Sequence, residues 1–165
     1  MNVLGLDLSL AAPGFATQSG PWTLTPKHKG VDRLFWFYGY IGELVAAHEI
    51  HVAIVEGYAF GSAFGREALG ELGGVVRLRL HKMGIPFVIA APTALKKYAT
   101  GKGNAKKDEV LAAAIKRSGL DITDNNAADA WWLYQMGCTK YAPELAVSMP
   151  AVNMSALDKL EWETL

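Results

Sequence analysis

Apolar and polar positions along the chain alternate between strand-like runs and helical spacing. Val3 to Leu8 is a short apolar run rich in strand formers, the pattern of a buried strand. Phe15 to Gln18 and Trp22 to Thr25 flank Ser19-Gly20-Pro21, which predicts a turn between two antiparallel strands. From Val31 to His48 the apolar residues Leu34, Phe37, Ile41, Leu44 and Val45 recur at helical spacing, so an amphipathic helix is expected there. Val52 to Val55 is another β-branched run, ending at Glu56-Gly57. Residues 66 to 82 follow a helical pattern, and Pro86 to Ala91 predicts a further strand ahead of Pro92.

Asp108 to Arg117 places Val110, Leu111, Ala114 and Ile115 on one helical face. Acids at its start and Lys116-Arg117 at its end complement the helix dipole, and Gly119 terminates it. Asn126 to Cys138 differs from the other helices, because Ala127, Ala128, Ala130, Trp131, Trp132, Leu133 and Met136 leave little polar face. Such a helix belongs largely inside the molecule. Tyr141 to Leu165 carries two prolines and mixed polarity and reads as loop or peripheral structure. The order of elements predicts an α/β protein, a mixed sheet with helices on its faces.

Composition narrows this. The chain has 165 residues, 51% apolar and 19% charged, with 16 basic and 16 acidic residues for a formal net charge of zero. These are the proportions of one globular domain rather than of a disordered chain. The single cysteine, Cys138, excludes an internal disulfide framework and a Cys-rich zinc site, and reads as a small buried residue on a helix. No long uncharged apolar stretch suggests a membrane span, and the N-terminus lacks the basic and apolar regions of a signal peptide. A soluble, cytoplasmic protein is the expectation.

Three acids occupy positions where burial should exclude them. Asp7 interrupts Val3-Leu4-Gly5-Leu6-Asp7-Leu8, Glu56 directly follows Ala53-Ile54-Val55, and Asp129 lies inside Asn126-Ala127-Ala128-Asp129-Ala130-Trp131-Trp132. An unpartnered carboxylate in apolar surroundings costs several kcal/mol or protonates. Taken singly, Asp7 or Glu56 could end a strand by bonding turn amides, and Asp129 could serve a helix's first turn. Taken together, two parallel strands ending in acids beneath a helix carrying a third would gather three carboxylates. Such a cluster repels itself unless a divalent cation compensates it. Oxygen ligands without His or Cys favour Mg²⁺ or Mn²⁺, and an acidic two-metal site is the usual apparatus for attack of water on a phosphodiester.

Residues 96 to 107 hold five lysines, Lys96, Lys97, Lys102, Lys106 and Lys107, with Gly101 and Gly103 and no acid. A solvated basic loop is the plain reading. A Walker-type phosphate cradle fails, because Gly103 is not followed by Lys-Ser or Lys-Thr. Contact with a nucleic-acid backbone fits better. Eleven basic residues and four acids lie between Ser62 and Arg117, so that span carries +7 and the remainder −7. The neutral total conceals a strongly basic segment.

At this point the chain resembles the RuvC family of Holliday junction resolvases, within the ribonuclease-H-like superfamily. Gly5-Leu6-Asp7-Leu8-Ser9, with Gly14 following, is similar to the family's first-strand motif with its metal-binding Asp. Ile54-Val55-Glu56-Gly57-Tyr58-Ala59-Phe60 is similar to the second motif, which carries a Glu and a nearby aromatic. Pro92 through Lys107-Asp108-Glu109-Val110 resembles the family's basic stretch, and Asn126-Ala127-Ala128-Asp129-Ala130 its last motif, whose final Asp is a metal ligand. Where the family usually has a further Asp, this chain has Asn126, which offers an amide oxygen without charge. Asp124 is nearby but out of register. Where better-known members carry the aromatic, this chain has Ala59, flanked by Tyr58 and Phe60.

The resemblance implies a ribonuclease-H-like five-stranded mixed sheet over residues 1–140, with 141–165 as a tail packed on or beside it. It implies a metal-dependent endodeoxyribonuclease acting in DNA recombination and repair, a homodimer that nicks four-way junctions symmetrically and leaves 5′-phosphate and 3′-hydroxyl ends. Asp7, Glu56, Asp129 and Asn126 would hold two Mg²⁺ or Mn²⁺ ions, and Lys107 would offset charge on the phosphoryl group. Lys96, Lys97, Lys102 and Lys106 would track DNA backbones, with Tyr58 or Phe60 stacking on an unpaired base. Gly70, Gly73 and Gly74 in one helix suit close packing, either on a partner helix or on the chain's own sheet. Rival readings are the same chemistry on forks, flaps or structured RNA, and a branched-DNA-binding module without catalysis. A sugar-kinase-like ATPase shares the opening strand pattern but needs two such lobes, and the chain has room for one.

Overall fold

The computed structural model describes residues 1–57 and 66–165. Five strands form a single sheet: β1 (Val3–Asp7), β2 (Gly14–Thr17), β3 (Gly20–Thr23), β4 (Val52–Glu56) and β5 (Phe87–Ala90). Their order is β3-β2-β1-β4-β5. The hairpin strands β2 and β3 pair antiparallel, and β1, β4 and β5 run parallel to one another. The helices among the described residues are α1 (Gly30–Ala47), α2 (Arg66–Lys82), α3 (Pro92–Thr100), α4 (Lys107–Ser118), α5 (Asn125–Tyr141) and the single-turn α6 (Ala151–Met154).

Side-chain alternation in the two central strands divides the core. Leu4 and Leu6 of β1, with Ala53 and Val55 of β4, pack beneath α1 and α2 against Phe37, Ile41, Leu72 and Val76. Val3 and Ile54 face the other layer, where Trp132, Leu133 and Tyr98 of α5 and α3 are buried. This period of two carries straight into the site. Asp7 shares the face of Val3 and Gly5, and Glu56 that of Val52 and Ile54, so both acids emerge under α5.

Close approach of α5 to the sheet depends on missing side chains. A Cβ at Gly5 would drive into the carbonyl of Ala130, and one at Gly14 into the carbonyl of Asn126. Glycine at these positions lets the first turns of α5 lie directly over the end of β1. Asp124 caps that helix, accepting from the Ala127 amide at 2.9 Å and from the Thr23 hydroxyl at 2.8 Å.

The sequence pattern gives the boundaries of α2 as found and those of the other predicted elements within a few residues. The exception is α3, which occupies a segment read as a basic loop. Pro92 begins it at a position where no amide hydrogen is required, and Gly101, at φ 85°, ends it in the left-handed conformation. Residues 141–165 form short helical turns anchored to the domain. Asn153 donates to the Tyr98 carbonyl at 2.7 Å, Arg117 to that of Ser148 at 2.8 Å, and the Val147 amide to the Gln135 side chain at 2.8 Å. No helix among the described residues is long and apolar enough to cross a membrane. Cys138 is buried on α5.

Candidate active site

The parallel register of β1 and β4 decides how the first two acids meet. Leu6 pairs with Val55, so the next residues along, Asp7 and Glu56, stand side by side at the carboxyl ends of adjacent strands. Asp7 is 5% exposed and its carboxyl is hydrogen-bonded to that of Glu56. Asp129, in the second turn of α5, lines the same pocket together with Asn126. The pocket has a volume of about 340 Å³. A larger groove of about 710 Å³ lies between α3, α4 and the tail, lined by Glu109, Lys116 and Arg117. We place the chemistry in the smaller one, because that is where buried carboxylates converge.

Electrostatics follow from this crowding. Burial holds the Asp7 carboxyl well above its ordinary value, and the neighbouring Glu56 and Asp129 push it further. Glu56 is likewise raised, chiefly by burial, against opposing pulls from Asp7, Lys107 and Lys96. Asp129 is raised from 3.8 to about 7 by burial and by the charge of Glu56, with Lys107 and Lys96 opposing. Burial and mutual repulsion thus oppose the ionisation of three carboxyls in one place, with Lys107 and Lys96 offsetting part of their charge.

Both lysines come from the basic segment, and helix geometry selects them. Lys96 lies one turn after Pro92 on α3, and both line the pocket. Lys107 is the first residue of α4 and lines it from the other side. The Trp132 indole donates to the Val110 carbonyl at 3.1 Å, fixing the start of α4 against α5. Tyr98 does the same for α3, meeting Thr139 at 2.7 Å and packing edge-on against Trp132. Lys102 and Lys106 are exposed outside the pocket, and Lys97 is half-buried.

Among the described residues no three His, Cys, Asp or Glu side chains close on one point as a finished metal cage would. Asp7 and Glu56 bond to each other instead. The donor set nevertheless fits a divalent cation of the Mg²⁺ or Mn²⁺ type. It is all oxygen, it is buried at Asp7 and half-buried at Glu56, Asn126 and Asp129, and the repulsion that raises these carboxyls is what a cation relieves. Asp124 caps α5 through one carboxylate oxygen and is not among the residues lining this pocket, whereas Asn126 is. Tyr58 and Phe60 lie outside the described residues. Ser9, also on the pocket wall, is part of the first motif in the sequence but was not among the expected site residues, and its place two residues beyond Asp7 was the signal that could have suggested it.

No family model matches the chain. Curated proteins named crossover junction endodeoxyribonuclease RuvC do. That of Synechococcus sp. (strain CC9311) is 28% identical over 149 residues, covering 79% of this chain and 93% of the relative. The Agrobacterium fabrum protein is 28% identical over 132 residues, covering 79% of this chain and 74% of its own length. Among solved structures, Thermus thermophilus RuvC superposes with a TM-score of 0.69 at 18% identity, over 91% of this chain and 100% of that one. The T. thermophilus RuvC in complex with Holliday junction substrate gives 0.70 at 19% identity, over 91% and 99%. The fold is therefore the α/β fold of those RuvC structures, a five-stranded mixed sheet flanked by helices, and in sequence the chain is similar to proteins named crossover junction endodeoxyribonuclease.

Proposed function

We propose that this RuvC-type chain resolves four-way DNA junctions by paired, symmetric, divalent-metal-dependent nicks that leave 5′-phosphate and 3′-hydroxyl ends. The observation that carries the reading is the meeting of Asp7, Glu56 and Asp129 with Lys96 and Lys107 in one pocket. The nuclease unit spans residues 1–140, and 141–165 form its tail.

Asp7, Glu56 and Asp129, with the Asn126 amide oxygen, hold Mg²⁺ or Mn²⁺ in this reading. Two such ions supply an activated water and charge stabilisation at the departing 3′ oxygen. Lys107 lies where negative charge accumulates on the phosphoryl oxygens, and stabilises it without changing protonation. Lys96 adds a second positive charge to the wall instead of tracking a distant backbone. Lys97, Lys102 and Lys106, away from the carboxylates, contact flanking phosphates. Tyr58 or Phe60 stacks on a base unpaired at the crossover.

Two symmetric nicks call for two copies of the site. The outer face of α2 suits the contact, since side chains added at Gly70 or Gly74 would meet nothing within 4 Å among the described residues. Leu78 continues that stripe and is 59% exposed. Packing on the chain's own sheet therefore does not account for Gly70 and Gly74, and a second copy covers them in this proposal.

A nicking assay on a mobile four-way junction, each strand end-labelled in turn, tests the reading. Paired cuts at symmetry-related positions in Mg²⁺ or Mn²⁺ are expected. Cutting of forks, flaps or RNA hairpins in preference to the junction would transfer the chemistry to those substrates. Junction binding without any cutting would leave a branched-DNA-binding module.

A further inference from the structure

Among the described residues that line the pocket, the one hydroxyl is that of Ser9, on the segment leaving β1, and the other side-chain donors are two lysines, the Asn126 amide and the carboxyl proton shared by Asp7 and Glu56. Its oxygen accepts from the amides of Ala12 at 3.2 Å and Ala11 at 3.4 Å. A serine hydroxyl offers two acceptor lone pairs and a single hydrogen. The following backbone amides engage the oxygen, which leaves the hydrogen free to bond outside that turn, and Ser9 lines the pocket. Among the described residues it has no protein acceptor. The Asp7 carboxyl, two residues earlier, shares its side-chain hydrogen bond with Glu56 rather than with Ser9.

We propose that Ser9 binds the substrate directly, donating its hydroxyl hydrogen to one non-bridging oxygen of the phosphodiester seated in the pocket. The inference rests on the nuclease reading above and extends it to a residue outside the carboxylate and lysine set. A phosphodiester suits this partner. It is acceptor-only, and its two non-bridging oxygens can be divided between the charged side of the pocket and the Ser9 side. A hydrogen bond to a charged oxygen has a preferred direction, whereas the lysine charges act from several angles. Ser9 thereby selects one of the two prochiral oxygens and fixes the rotation of the phosphate about the strand.

The test compares wild type, Ser9→Ala and Ser9→Thr on junctions carrying a single phosphorothioate of defined stereochemistry at the scissile position. Sulfur is a poor hydrogen-bond acceptor. On the all-oxygen junction, Ser9→Ala is expected to nick about tenfold more slowly, the cost of one hydrogen bond to a charged group. Ser9→Thr, which keeps a hydroxyl, should recover most of that rate. With one phosphorothioate diastereomer wild type should fall towards the Ser9→Ala rate, while Ser9→Ala itself is slowed much less by the same sulfur. With the other diastereomer the tenfold gap should persist.

An effect of Ser9→Ala that is the same on both diastereomers and on oxygen would mean that only the 9–12 turn had been damaged, and would overturn the proposal. Mn²⁺ titration of the DNA-free protein by calorimetry gives a readout apart from activity. Equal affinity in wild type and Ser9→Ala is expected, and a weakened Mn²⁺ site would place Ser9 with the ligands instead of the phosphate. Failure of wild type to nick any junction would overturn the nuclease reading and this extension with it. Normal wild-type nicking with no stereochemical dependence on Ser9 would overturn the extension alone.

Discussion

The carboxylates and the lysines of the pocket reach it by opposite routes. Asp7, Glu56 and Asp129 are scattered over more than 120 positions of sequence and converge because parallel strands and a tightly seated helix bring their ends together. The five lysines lie within twelve residues and diverge, because two helices and the turn between them put Lys96 and the exposed Lys107 on the pocket wall while Lys102 and Lys106 lie outside it. Proximity in sequence was thus a poor guide to shared work, and a common chemistry in an unfavourable place was a good one. Burial of an acid is costly unless something compensates it, whereas a solvated lysine costs nothing wherever it falls.

This contrast predicts a ranking of effects. Asp7→Asn removes one of the buried carboxylates and should lower nicking at least about a thousandfold, beyond the ~10–100-fold typical of outer-shell partners, with junction binding retained in gel shifts. Undiminished cleavage by this variant in Mg²⁺ would remove the metal-site reading. Lys107→Ala should cost about a hundredfold in single-turnover nicking, the scale of one lost electrostatic contact to the reacting group, and Lys107→Arg should recover part of it. A loss no greater than that of Lys102→Ala would erase the distinction between inward and outward lysines.

Asp129 sharpens the comparison through pH. Its carboxyl is raised from 3.8 to about 7, so between those values the folded chain holds a proton that the unfolded chain has released. Stability in EDTA should therefore decline as pH rises through about 4 to 7, a contribution of up to a few kcal/mol in all. Thermal melts of wild type and Asp129→Asn across that range measure it as the difference between the two curves. The variant should decline less steeply, keeping only what the raised Asp7 and Glu56 contribute, and parallel curves would show that Asp129 carries no raised pKa.

The smallest effect belongs to the exposed lysines. Lys102→Ala with Lys106→Ala should weaken junction binding several-fold and reduce the slope of log affinity against log salt by up to about 2, leaving the nicking rate of bound junction nearly unchanged. A collapse of that rate would place these lysines in the pocket after all.

Much of the architecture was legible because it rests on local periodicity. Helical spacing and β-branched runs placed the strands, α1, α2, α4 and α5, since an amphipathic element must bury one face whatever its partners are. The helix α3 was missed because its lysines gave the segment the polarity of a loop. The signals that define it, Pro92 at the start and Gly101 at the end, are stop-and-start marks that acquire meaning only with Leu95 and Tyr98 buried between them. The acids were legible one by one as conflicts between charge and apolar context.

Sequence alone therefore determined which residues needed explaining: three acids in apolar settings and a basic segment hidden within a neutral total. Only the tertiary structure decided which of them meet. Register placed Asp7 beside Glu56, glycines at positions 5 and 14 let α5 descend over the end of β1, and Asp124, capping α5, was left off the pocket wall. The same packing turned Lys96 and Ser9 into the pocket. The physical reason is that burial is written into each residue's immediate neighbours, whereas convergence depends on strand pairing and helix docking between segments far apart in the chain.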